Sequence, residues 1–295
     1  MDNKSKTKAY NLDRKIYPGW FAVPGFAIFV VIFVIPTLSS FYFGFTKWNL
    51  RTSTWTGLDN FRQFFSMYNT KDAVWNTVVF TFWESIIKVV FGLLLAVVLS
   101  RKTKVCDYIK GVLFFPSLLG SVVVAAVWSA ILHPTGIVNQ FLGLFGVSKV
   151  KWLTDSQWAM FSCIAVDVWK GMGTTLVIYL NGLSSIPTSY IEAAAIDGAS
   201  GPKQFWNITL PLMVPSINTI LTLTLISGFR DYALIFALTE GGPGYSTEVI
   251  GSAVYKLFST GTYGIATTGN IIIFLVACFV VLPIKNIIAR KEAEL

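Results

Sequence analysis

Histidine is almost missing from this sequence: His133 is the only one, and it stands before Pro134, where a helix is expected to stop. One imidazole gives no basis for a His-based acid–base pair or a His-ligated metal, so a membrane-embedded hydrolase is poorly supported. Cysteine is scarce too. Cys106, Cys163 and Cys278 lie far apart, the last two inside apolar runs; that spacing excludes a disulfide framework or a CxxC metal site and suits small buried hydrophobes. No G-x-x-x-x-G-K-[ST] phosphate loop occurs, and Gly171-Met172-Gly173 falls within an apolar run without the strand-to-helix context of a nucleotide fingerprint. The chain is therefore expected to be no enzyme, and to hydrolyse no ATP by itself. Charge is sparse: 13% of residues are charged against 54% hydrophobic, and mean hydropathy is +0.63. An ordinary water-soluble domain is excluded by that balance. The formal charge of +8 is scattered over short segments between apolar runs, with no basic patch interleaved with aromatics, so no nucleic-acid partner is expected.

What is present in quantity is hydrophobic sequence of membrane-spanning length. A helix crossing a hydrocarbon core about 30 Å thick needs about 20 mainly apolar residues. Six segments qualify: 20–45, 74–99, 111–132, 158–180, 213–238 and 264–284. The first is too long for a secretory signal and lacks a small-residue cleavage site after it, so it reads as a retained signal anchor. Lys and Arg in the connections set orientation, because positive loops stay cytoplasmic. With the N-terminus inside, thirteen fall inside, seven outside and three, Lys88, Lys170 and Arg230, at membrane depth. The expectation is an all-α integral membrane protein with six transmembrane helices, multi-pass in the lipid bilayer, both termini cytoplasmic. Its organisation would be a tail at 1–17, one membrane domain at 18–288 and a tail at 289–295.

Between the fourth and fifth spans lies a polar segment, SYIEAAAIDGASGPKQFWNITLPL, placed on the cytoplasmic side by the even helix count. Pro187 pre-sets a helix start, and Ser189 to Glu192 has the spacing of a capping box. Ala193, Ala194 and Ala195 favour helix and leave a slim face; Gly198 suits a left-handed stop. Gly201-Pro202 opens a second short helix, which Leu210-Pro211 ends. A slim helix of this kind lets another backbone approach closely.

The spacing Glu192-Ala193-Ala194, three residues, Gly198, nine residues, Ile208, one residue, Leu210-Pro211 resembles the EAA motif of permease subunits of bacterial ABC importers at every fixed position. A second stretch narrows the likeness. Thr239-Glu240-Gly241-Gly242-Pro243, Thr247 and YKLFSTGTYGIAT at 255–267 are similar to the C-terminal signature of sugar permeases of the maltose-transporter MalF type, and YPGWFAVPGFAIFVVIFVIPTLSSFYFGFTKW at the start extends the resemblance nearly end to end. Ala266-Thr267-Thr268-Gly269-Asn270 departs from the type. The resemblance implies the type I ABC importer permease fold in a bacterial cytoplasmic membrane, with a coupling segment at 186–211 seated in an ATPase cleft through Glu192, Ala193, Ala194, Gly198, Ile208, Leu210 and Pro211. It also implies the partners: a second homologous permease, two nucleotide-binding ATPase subunits that bind ATP and Mg, an extracytoplasmic solute-binding protein and a sugar. No cofactor and no metal are expected in this chain.

Ionisable residues at membrane depth are costly and usually face a bundle interior or a wet cavity. Asp167, Lys170, Gly171, Thr174 and Asn181 share one side of a helix, as do Thr224, Ser227 and Asp231, with Arg230 beside them. Two such stripes could line a path for a neutral, hydroxyl-rich molecule; by analogy with the maltose type, the path residues would be Asp167, Lys170, Gly171, Thr174, Thr224, Ser227 and Asp231. A competing reading is pairing of these charges: Asp167 with Lys170, Glu84 with Lys88, and Arg230 with Asp231 or a partner subunit. Trp128 and Trp169 fit packing better than sugar stacking. The rival function is an ion-coupled secondary transporter using Glu84, Asp167, Lys170 and Asp231 as a relay.

Overall fold

The computed structural model describes residues 19–67 and 69–293; the basic tail predicted at 1–17 and the last two residues of the C-terminal tail lie outside them. Among the described residues, four helices are long and apolar enough to cross a membrane. They are α1 (Trp20–Gly44), α3 (Thr70–Leu99), α7 (Ala159–Ser185) and the body of α13 (Tyr263–Ala293). α1 is apolar on every side, and none of its most hydrophobic stretch is buried within the chain. Pro36 cannot donate to residue 32, and the turn before it widens into a π-helical turn at Val30–Val34. A hairpin of β1 (Thr46–Trp48) and β2 (Ser53–Trp55), pairing Lys47 with Thr54, follows it. The short helix α2 (Asp59–Ser66) comes next. Its Asn60 donates to the carbonyls of Gly44 at 2.9 Å and Thr46 at 2.8 Å, which fixes the exit of α1.

The third and fifth predicted spans are broken. Residues 111–132 divide between α4 (Lys104–Leu118) and α5 (Ser121–Ile131), bent by 107° at Leu119-Gly120. Pro116 tightens the end of α4 into a 3-10 turn, and Leu119 is extended. Residues 213–238 begin at a second bend, 62° at Met213, between α9 (Gly201–Leu212) and α10 (Val214–Arg230). α10 then stops at Arg230, where Asp231 turns extended, and the chain restarts as α11 (Ala233–Thr239). The described residues thus hold four unbroken candidate spans, or up to six if each bent pair crosses once. The remaining helices are α6 (Ile137–Gly143), α8 (Thr188–Ile196) and α12 (Ile250–Ser259).

α3 is the central strut, packed along α7 on one side and α10 on another, and glycines set the spacing. Gly92 of α3 sits against Thr175 and Tyr179 of α7, whose hydroxyl donates to the Val89 carbonyl at 3.1 Å. Gly228 of α10 lies against Thr81 and Glu84 of α3, so close that a Cβ would meet Glu84 Oε1 at 2.8 Å. On the other flank of α7, a Cβ on Gly173 would reach the Leu113 carbonyl and the Phe114 Cα at 2.5 Å, both backbone of α4.

Backbone cannot step aside as a flexible side chain can, so Gly173→Ala should separate α4 from α7 and destabilise the chain by about 1–3 kcal/mol. Gly111→Ala, where a Cβ meets nothing within 4 Å, should be neutral or stabilising through helix propensity. Thermal melting of the two purified variants checks the contrast; equal melting temperatures would refute it.

Candidate functional site

Two places collect the residues singled out in the sequence. The first is the α8–α9 segment. α8 begins at Thr188 with Pro187 at its cap position and no side-chain capping bond, so the expected Ser189–Glu192 capping box does not form: the helix starts two residues early and draws Ser189 into its first turn. The stop is as expected. Gly198 is left-handed at φ +74°, and the amides of Gly198 and Ala199 donate to the carbonyls of Ala195 at 3.1 Å and Ala194 at 2.9 Å, a Schellman closure. Glu192, Ala193 and Gly198 are exposed, whereas Ala194 is buried. Beyond them Ile196, which sequence reasoning passed over, is 87% exposed. α9 runs through Leu210-Pro211 and ends at Leu212, one residue later than its sequence suggested. Ile208, Leu210 and Pro211 are half-buried, and Leu210 packs on the cluster around Leu176, Tyr179 and Met213.

The second place is a polar cleft of about 580 Å³ between α3, α7 and α10, closed on one side by the α4–α5 junction. Asp167, Lys170, Gly171, Thr174, Thr224, Ser227 and Asp231 all line it. Asn181 does not. Three carboxylates (Glu84, Asp167, Asp231) and three cations (Lys88, Lys170, Arg230) share the lining, so its formal charge cancels. The pairing differs in part from helical spacing. Lys88 is bound to Glu84, as expected, but it also crosses from α3 to α7 and donates to Asp167 Oδ2 at 2.6 Å. Lys170, expected to pair with Asp167, donates instead to Ser121 Oγ at 2.6 Å, tying α7 to the start of α5. Among the described residues, Arg230 forms no ion pair with Asp231. Thr224 and Ser227 donate to carbonyls of their own helix at 3.2 and 2.9 Å, which leaves their oxygens able to accept. Trp128 and Trp169 pack edge to face at 5.3 Å.

Lys88, Ser117 and Ser121 are lining residues that the sequence did not assign to the path. Nor did it show why the Thr239–Thr247 stretch is ordered. Glu248 is fully buried and bound to Lys256 at 2.5 Å, Lys256 also donates to the Glu240 carbonyl at 2.9 Å, and Asn76 of α3 donates to the carbonyls of Tyr245 and Glu248. A larger groove, about 670 Å³, lies between α10, α12 and α13. It is mainly apolar, none of the predicted path residues lines it, and the cleft is the better candidate because polar groups converge there.

Known proteins share this architecture. The family model described as binding-protein-dependent transport system inner membrane component matches residues 88–293. The multiple sugar-binding transport system permease protein MsmF of Streptococcus mutans is 31% identical over 275 residues, covering 91% of this chain and 94% of that protein. The trehalose/maltose transport system permease protein MalF of Thermococcus litoralis is 29% identical over 290 residues, covering 97% and 98%. Among solved structures, a bacterial alginate ABC transporter in complex with an alginate pentasaccharide-bound periplasmic protein superposes with a TM-score of 0.81 at 25% identity, covering 96% of each chain. With its several apolar helices and a family match over more than half its length, the chain belongs to the inner membrane components of binding-protein-dependent transport systems.

Proposed function

We propose that the chain is the permease subunit of an ATP-driven carbohydrate importer, forming half of the translocation path and coupling it to a separate ATPase through α8. The observation that carries this reading is a mechanical one. α8–α9 joins α7 to α10, the two helices that bear the predicted path residues, through two residues at one end and one at the other. A displacement of α8 is thereby delivered to two walls of the cleft, and rigid helices transmit it as rotation or shear. On this reading the bent pairs each cross the membrane once, giving six spans, cytoplasmic termini and a cytoplasmic α8.

The assembly would comprise a second homologous permease, two ATPase subunits that hold ATP and Mg, and an external solute-binding protein. The formally neutral, hydroxyl- and carboxylate-lined cleft suits an uncharged saccharide, whose hydroxyls both donate and accept. Relatives named for sugar transport point the same way. ATP binding would close the ATPases and carry α8 with them, switching access to the cleft; hydrolysis would reset it. The ion-coupled alternative is not favoured: Glu84 and Asp167, two of its four relay groups, are held by one lysine, and it gives α8 no role.

Docking would use the exposed face of α8. In a background with Cys106, Cys163 and Cys278 replaced, Ala193→Cys should crosslink to an ATPase subunit in native membranes in a nucleotide-dependent way, and the buried Ala194→Cys should react far less. An assembled, active transporter in which Ala193→Cys meets no ATPase would sink the coupling assignment. Ile196→Ser should lower sugar-stimulated ATP hydrolysis by about tenfold, the scale of one apolar anchor in an interface; unchanged hydrolysis would remove Ile196 from the contact.

A further inference from the structure

Lys88 has so far only the role of a charge partner, but its path through the fold says more. It leaves α3, passes over the α7 backbone and ends between Glu84 Oε2 and Asp167 Oδ2. All three side chains are nearly inaccessible, at 8%, 1% and 9% exposed. The crossing is possible because position 171 is glycine. A Cβ there would stand 2.6 Å from Lys88 Cε and 2.8 Å from Nζ, closer than real Cβ contacts come, so any side chain at 171 must displace the flexible end of the lysine from this position. Gly171 is one helical turn beyond Asp167, and both face the cleft. The slot and the carboxylate it serves are thus one device on one face of α7.

Lys88 binds Asp167 through Oδ2, the carboxyls of Glu84 and Asp231 lie within hydrogen-bonding reach of it, and Asp167 belongs to the lining of the cleft. A carboxylate accepts from hydroxyl donors in short, strong bonds, and such an acceptor discriminates only when its orientation is fixed. We propose that Lys88 is a positioning residue of the cleft: lodged in the slot at Gly171, it holds Asp167 as a fixed acceptor for hydroxyls of the passing saccharide. This rests on the carbohydrate-importer reading above. A purely structural lysine would neutralise buried charge and do nothing else.

The two roles separate by experiment. The assembled transporter, isolated through a tag on this chain, is placed in proteoliposomes with ATP and with the labelled oligosaccharide that the wild type imports from a panel starting with maltose and trehalose. Sugar moved per ATP hydrolysed is measured for the assembled fraction. Lys88→Met alone leaves two buried carboxylates facing each other and should lose assembly, because breaking a buried pair from one side is strongly destabilising. The triple variant Lys88→Met/Glu84→Gln/Asp167→Asn removes all three charges and should assemble again. Yet it should move roughly tenfold less sugar per ATP, the factor expected for one lost charge-assisted hydrogen bond. Gly171→Ala, which changes no charge and only displaces the end of Lys88, should lower sugar per ATP in the same direction by a smaller factor. Wild-type sugar per ATP in either the triple variant or Gly171→Ala, even with less transporter assembled, would overturn the positioning role. Failure of the wild type to import any sugar with ATP would instead refute the importer reading on which the inference stands.

Discussion

A lysine and two carboxylates cannot be taken out of water one at a time. Desolvating each ion costs several kcal/mol in a protein interior, and only mutual pairing offsets it. The Lys88 cluster meets that constraint by joining α3 to α7 at membrane depth, and much of the interior follows from it. The helices must approach closely enough for one side chain to bridge them, which explains the glycines at 92 and 171 on their facing surfaces. Gly228 then brings α10 against Glu84 from the other side. Three helices are drawn around one charged cluster, and the cleft is the space left between them.

Around that fixed centre the chain is bent where the centre is not involved. Leu119-Gly120 and Met213 carry bends of 107° and 62°, and a proline sits close to each. Such breaks free backbone groups that need other partners; here they lie at the rim of the cleft or at the junction with α9, not in the strut. The protein therefore combines a charge-locked contact between α3 and α7 with joints at the α4–α5 break and at the start of α10, an arrangement suited to moving the walls of the cleft about the Lys88 cluster.

Much of this was legible in the sequence. α1, α3, α7 and α13 announce themselves because each is a long apolar run, and length against bilayer thickness is a strong physical criterion. The left-handed stop at Gly198 was legible because only local backbone sterics decide it. The two broken spans were not, since apolar composition continues straight across Leu119-Gly120 and Met213, and tertiary packing decides the break. Helical spacing proposed Asp167 with Lys170 but not Asp167 with Lys88, because periodicity sees one helix at a time. The same blindness hid the burial of Ala194 and the capping register of α8: Pro187 and Ser189 are both plausible caps, and only the chain entering from α7 selects between them. The seven path residues converge on one cleft because two polar stripes on apolar helices have few places to face.

The loop between α11 and α12 carries a consequence of a different kind. Its turn is fastened from within by Thr239 to Thr247, Thr247 to the Gly242 carbonyl, and Lys256 to both Glu240 and Glu248, and from outside by Asn76. Gly244 and Tyr245 stand exposed at its tip. Ordering a loop on contact is one of the larger entropic penalties of association, and here the order exists before any contact is made. A partner that recognises this tip can dock against a ready shape, so its affinity can come from a small area and its release need not wait for the loop to refold.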